Sequence, residues 1–412
     1  MQVRSASTAT SPSTSAQDFG LDFALCQRAL VTGVDETGAP LTSTASSTRP
    51  TAAQATAVAA GMAEVAHSAR LVGKQVIIVA GRSDALVPVN HNARAYTASK
   101  YPPHAQPLWT GERYRHDRIR VAYLSADFHD HATAYLMAEL FELHDHASFE
   151  IHVFSFGVDK SGAMRQRLSN AVTRFYDVNA ASDAQIATML RQQEIDIAID
   201  LKGFTQHSRS AIFSYRAAPV QVNYLGYPGT MGAPYIDYII ADRHIIPAED
   251  DCYYQEKVVR LPDSYQVNDS KRVIADDTPS RAELGLPANG FVFCSFNNHY
   301  KITPDVFAVW MRLLARVPGS VLWQLCDNPL AITNLQQQAQ LHGIDPVRLV
   351  FAGRMSSPLH LARQRLADLF LDTLPCNAHT TASDALWMGL PLLTCQGDAF
   401  VGRVASSCAS AS

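Results

Sequence analysis

The chain reads as an α/β protein built from two Rossmann-like halves. From Arg118 onward, short apolar runs alternate with amphipathic stretches, the ordering that gives a mainly parallel sheet. The alternation pauses at a polar, Pro-containing linker near 269–287 and then starts again. No helical repeat of about 34 residues precedes it.

The first half predicts strands over 119–124, 149–156, 195–201, 220–225 and 236–241, with an amphipathic helix over 184–193. The second predicts strands over 291–296, 321–325, 349–352, 369–372 and 392–395. These place an N-terminal lobe at 118–275 and a C-terminal lobe at 276–412. Residues 1–70 are rich in Ala, Ser and Thr with turn-forming clusters, and read as a low-complexity, poorly ordered segment whose one short helix is expected over 19–30.

At 412 residues, 47% apolar and 17% charged, the chain has enough material for two or three domains with cores. A formal net charge of −4 supplies no basic field for nucleic acid, so phosphate recognition must be local. The seven cysteines (Cys26, Cys252, Cys294, Cys326, Cys376, Cys395, Cys408) are scattered and contain no C-x-x-C pair, which argues against a disulfide scaffold or zinc knuckle and fits a reducing cytoplasm. No apolar run approaches the roughly 18 residues of a membrane span, and the beginning lacks a secretory pattern.

A strand at 75–79 ends in Gly81-Arg82-Ser83-Asp84, and residues 72–96 resemble the C-terminal part of hydroxybutyrate-oligomer hydrolases. That resemblance implies Asp84 as a triad carboxylate. An α/β-hydrolase also needs a G-x-S-x-G nucleophile elbow, and the chain contains none. Residues 71–100 therefore read as a hydrolase-like fragment with Asp84 capping a turn, followed by a linker at 101–117.

Four motifs carry chemistry. The run from Phe370 through Asn377-Ala378-His379-Thr380-Thr381 to Asp384 leads a strand through a polar turn into a helix start. Unpaired N–H groups and the helix dipole there attract an anion, with His379, Thr380 and Thr381 around it. Phe296-Asn297-Asn298-His299-Tyr300-Lys301 follows another strand and offers a cation; the two together suggest a diphosphate site without a metal.

Asp127-Phe128-His129-Asp130-His131 follows the first strand of the first half, where open α/β sheets place ligands. His131 is a candidate base there, a helix cap, or with His129 half of a metal pair. Gly226-Tyr227-Pro228-Gly229-Thr230 is a turn that lets backbone approach a ligand, or an ordinary structural turn. Asp200-Leu201-Lys202-Gly203 ends a strand on the same sheet edge, while His144-Asp145-His146 reads as a solvated face.

In order and spacing, these four motifs resemble the O-linked N-acetylglucosamine transferase family, which includes the SPINDLY-like proteins, over residues 118–403. The resemblance implies a GT-B-like pair of Rossmann-like domains, preceded by the poorly ordered segment and truncated at the C-terminus. It implies an inverting, metal-independent transfer of N-acetylglucosamine from UDP-N-acetylglucosamine, a substrate rather than a cofactor, to Ser or Thr hydroxyls of a protein acceptor. The first lobe becomes the acceptor side and the second, incomplete one the nucleotide-sugar side.

By position, His131 matches the acceptor-site histidine and Lys301 the lysine that neutralises the diphosphate. Asn298, His360, Arg363, His379, Thr380, Thr381 and Asp384 fall on the donor side, and Gly226, Tyr227, Pro228, Gly229 and Thr230 form the acceptor and sugar-side loop. Asn298 replaces a glutamine, and Ser357 stands where animal members have lysine. Tetratricopeptide repeats usual in the family are replaced by the hydrolase-like fragment, and bracing C-terminal helices are expected to be missing. A nucleotide-binding fusion without activity and a GDP-fucose enzyme are the alternatives; acceptor identity and oligomeric state are left open by spacing.

Overall fold

Apolar runs bounded by turn residues become strands, and the helices between them return the chain to the same end of a sheet, so consecutive strands lie parallel. The computed structural model describes residues 77–80, 89–158 and 161–411. The helix expected over 19–30, together with Cys26 and Asp84, lies outside them.

In chain order the described strands and helices begin with β1 (Ile77–Ala80), α1 (Val89–Lys100), β2 (Ile119–Ser125), α2 (Ala132–Leu143), β3 (Phe149–Ser155), α3 (Ala163–Ala171) and β4 (Arg174–Asp177). There follow α4 (Asp183–Gln192), β5 (Ile197–Asp200), α5 (Ala211–Ser214), β6 (Val220–Asn223), β7 (Tyr238–Asp242) and β8 (Lys257–Leu261). The second half holds β9 (Val292–Ser295), α6 (Pro304–Arg316), β10 (Val321–Leu325), α7 (Pro329–Leu341) and β11 (Leu349–Ala352). It ends with α8 (Ser357–Arg363), β12 (Leu369–Leu371), α9 (Thr380–Trp387), β13 (Leu392–Gln396) and α10 (Val404–Ala411).

The chain divides into two compact units, Leu86–Arg272 and Val273–Ser412, the latter joined by the N-terminal segment up to Ala85. The first unit holds a seven-stranded parallel sheet in the order β4-β3-β2-β5-β6-β7-β8. One face of its core gathers Leu124, Phe154, Ile186, Leu190, Ile212 and Phe213. Helix α4 carries a full capping box, Ser182 with Gln185.

The second unit holds a six-stranded parallel sheet in the order β1-β13-β12-β9-β10-β11. Its two core layers hold Val292, Trp323, Phe370 and Ala405 on one face, and Phe293, Trp310, Leu322 and Leu369 on the other. Among the described residues no helix is long and apolar enough to cross a membrane.

Two sequence expectations are corrected. The strand expected to stand isolated at 75–79 pairs with β13, Ile77 opposite Leu393 and Ala80 opposite Gln396. Of His144-Asp145-His146, Asp145 and His146 are exposed, but His144 does not share that solvated face: burial pushes its imidazole down, and Tyr123 Oη lies 2.9 Å from its Nε2.

Candidate functional site

In the second unit the polar turn after β12 is organised by Asp372 and Asn297, which have no assigned role in the sequence reading. Asp372 Oδ1 accepts from the Thr373 and Ala378 backbone N–H groups (2.7 and 2.6 Å) and from Asn297 Nδ2 (3.1 Å). Its Oδ2 accepts from Thr394 Oγ1 at 2.6 Å. Because β9, β12 and β13 are neighbours, side chains 75 residues apart in sequence meet at one sheet end. Asn297 extends the network: its Oδ1 accepts from Thr381 Oγ1 at 2.6 Å, tying the end of β9 to the first turn of α9.

Lys301, in a 3-10 turn over His299–Lys301, donates from Nζ to the Asn377 carbonyl at 2.6 Å. Asn377 is itself buried and donates from Nδ2 to the Thr373 and Cys395 carbonyls. The lysine is thereby brought against the turn that leads into α9. At that helix start His379 occupies the N-cap without a side-chain cap bond, and its carbonyl accepts from Ala382 and Ser383. Burial, reinforced by the Lys301 charge, pushes the His379 imidazole down to about 3, so it is neutral at physiological pH.

Arg363 is 1% exposed; it donates to the Gly353 carbonyl at 2.8 Å and stacks over the rings of Phe296 and Trp323. Burial lowers its guanidinium to about 10. Its Nε and Nη2 point at His360 Nδ1 (3.1 and 2.7 Å), whose Nε2 lies 3.6 Å from Asp384 Oδ2. These three residues, expected on the donor side, form one chain in which Arg363 supports His360. Asn298 is exposed and donates to Tyr300 Oη at 3.1 Å; Ser357 opens α8.

In the first unit, His131 is the N-cap of α2, its Nδ1 accepting from the Thr133 N–H at 3.2 Å, and its side chain is 42% exposed. Asp127 Oδ2 lies 3.6 Å from that nitrogen and 2.6 Å from Lys202 Nζ, with both Asp127 and Lys202 buried. The glycine turn is tightly built. A Cβ on Gly226 would stand 1.9 Å from the Leu201 carbonyl oxygen, and Leu225 takes φ +64°.

Tyr227 packs edge-on against Phe204 at 5.3 Å and Pro228 is half-buried beside it, whereas Thr230 is buried and donates to Glu256 Oε2 at 2.5 Å. Glu256 Oε1 accepts the Met231 N–H, and burial pushes this carboxyl up. Gly229 is more open: a Cβ there would lie 3.4 Å from the Tyr227 ring. Helix α1 sits beside the turn, with Thr97 Oγ1 donating to the Met231 carbonyl at 2.6 Å.

Two parallel-sheet units whose polar groups gather beyond strand C-termini define a GT-B-like protein. Residues 100–276 and 277–411 match the model of glycosyl transferase family 41, and the chain belongs to that family. Residues 2–106 match a 3HB-oligomer hydrolase model, a longer stretch than the 72–96 read from sequence.

Among similar proteins is the probable UDP-N-acetylglucosamine–peptide N-acetylglucosaminyltransferase SEC of Arabidopsis thaliana, 37% identical over 70% of this chain and 30% of that protein. The corresponding transferase of Caenorhabditis elegans is 27% identical over 78% of this chain and 39% of its own length. The chain thus spans about a third of the length of the curated relatives it matches. A solved structure of a Thermobaculum terrenum O-GlcNAc transferase variant superposes with a TM-score of 0.68 at 30% identity, covering 77% of this chain and 60% of that one.

Proposed function

We propose that this chain is the catalytic region of a protein O-glycosyltransferase that moves N-acetylglucosamine from UDP-N-acetylglucosamine to Ser or Thr hydroxyls, inverting the anomeric centre without a metal. The activities named for its relatives support the substrate class. The observation that carries the reading is Lys301 Nζ held 2.6 Å from the Asn377 carbonyl, on the turn that leads into the start of α9. This supplies one fixed cation and oriented N–H donors for a diphosphate, with His379 kept neutral beside them.

As the acceptor oxygen bonds to the anomeric carbon, the bond from that carbon to the diphosphate oxygen breaks, and negative charge grows on the leaving group. Preorganised donors stabilise this charge more than the ground state. The transition state is oxocarbenium-like, so the acceptor proton departs late, to the leaving diphosphate or to water. His131 then serves to orient the hydroxyl. His360 and Asp384 receive the nucleotide-sugar hydroxyls. The six free cysteines of the described residues fit a protein acceptor in a reducing, cytoplasmic setting.

Calorimetric titration with UDP and GDP, after a cooperative thermal transition is established, tests the donor. UDP preference followed by label transfer from UDP-N-acetylglucosamine is expected. GDP preference would move the reading to fucose, and a folded chain that binds neither would make it a noncatalytic fusion. Lys301→Ala and His131→Ala are each expected to lower turnover by about 100-fold or more; unchanged transfer in either would remove that residue from its role.

A further inference from the structure

We propose that Lys202, acting through Asp127, holds the His131 imidazole in the tautomer that carries its proton on Nε2, so that the Lys202–Asp127 pair is a positioning device for the acceptor-side histidine. The strands β2 and β5 are neighbours with Leu124 opposite Asp200, so the segments just beyond them emerge side by side. Asp200 Oδ1 accepts the backbone N–H groups of Lys202 and Gly203 at 2.8 and 3.0 Å, which fixes the turn that presents Lys202. Gly203 has φ +51°, and a Cβ there would lie 2.3 Å from Tyr227 Cβ, so this turn requires glycine.

Lys202 Nζ donates to Asp127 Oδ2 at 2.6 Å, and both residues are buried, so the carboxylate charge is met by the ammonium. His131 Nδ1 stands 3.6 Å from the same oxygen, beyond hydrogen-bond range, and instead accepts the Thr133 N–H at 3.2 Å. A nitrogen that accepts presents its lone pair, which leaves the ring proton on Nε2. Among the described residues His129 also lies nearby, its ring 5.8 Å away edge-on, and Asp130 is exposed and accepts from Tyr135 Oη.

The consequence is specific. An unneutralised Asp127 would draw the proton to Nδ1 and make a carboxylate-backed base of His131; Lys202 prevents this, and the histidine offers a hydrogen bond from Nε2 instead of taking a proton there. This rests on the acceptor-side role given to His131 above, but the measurement below stands whether or not transfer is detected.

Long-range proton–nitrogen correlation spectra of the full chain labelled with [15N]histidine report both ring nitrogens, with His131→Gln identifying the signal. At neutral pH the intact chain is expected to show a protonated Nε2 and an unprotonated Nδ1. Lys202→Met is expected to protonate Nδ1, and Lys202→Arg to restore the original pattern. An intact chain with Nδ1 protonated, or a Lys202→Met spectrum identical to it, overturns the proposal. Should Lys202→Met not fold, the spectrum of the intact chain still decides.

Discussion

The His379 imidazole, pushed down to about 3 by burial and by Lys301, makes the donor turn sensitive to acid in a definite direction. Below the ordinary histidine value of about 6.5 the unfolded chain takes up a proton that the folded chain refuses, so stability present above 6.5 is lost as pH falls toward 3. Between pH 7 and pH 5 this one group costs up to about 2 kcal/mol. Urea midpoints at the two pH values should therefore drop further for the natural chain than for His379→Gln; equal drops would show that the ring titrates normally. The sequence displayed His379 and Lys301 because helix starts and lysines after strands are recognisable locally. It gave no role to Asp372 or Asn297, whose meaning arises only when β9 and β12 pair and bring them together. Lys202 is legible as a strand end on the same sheet edge, but its bond to Asp127 arises only when β5 lies beside β2.

Among elements, the turn at 225–232 separates what glycine is needed for from what it merely tolerates. A side chain at Gly226 would strike the Leu201 backbone oxygen at 1.9 Å, so the turn would have to move away from the end of β5. At Gly229 the added carbon meets only the Tyr227 ring at ordinary contact distance. Gly226→Ala is expected to cost about 2–3 kcal/mol in chemical denaturation and Gly229→Ala well under 1 kcal/mol; equal costs would contradict this packing. The buried Thr230–Glu256 bond explains why the last residue of this loop serves the framework while Tyr227 stays partly exposed. Ten strands of the two halves were legible to within about two residues because central strands are near-continuous apolar runs. Both missed strands, β4 with Arg-Phe-Tyr-Asp and β8 with Lys-Val-Val-Arg-Leu, are edges of the first sheet, where charge and partial exposure erase that signal.

For the whole molecule, the described parts of the segment before residue 106 belong to different units, β1 to the second and α1 to the first. The segment matches a hydrolase model, yet its strand β1 extends the second sheet beyond β13 and its helix α1 is held beside the glycine turn of the first unit. Counting from β9, the second sheet runs 3-2-1-4-5 and then β1, so the sixth position of a doubly wound sheet is filled by a strand that precedes the others in sequence. The apolar run at 75–79 revealed a strand but not its partner, since a four-residue segment carries no register information of its own. If β1 closes this edge, alternate N–H groups of Thr394–Gln396 are protected by it, while Leu392 and Leu393 lie opposite β12. Two consecutive residues of a strand point their N–H groups to opposite sides, so proline at both Ile78 and Val79 must remove one ladder bond. Hydrogen exchange in that double variant should accelerate only at the β13 amides that face β1, leaving β9 and β12 unchanged; exchange identical to the natural chain would mean that β13 is held without its neighbour.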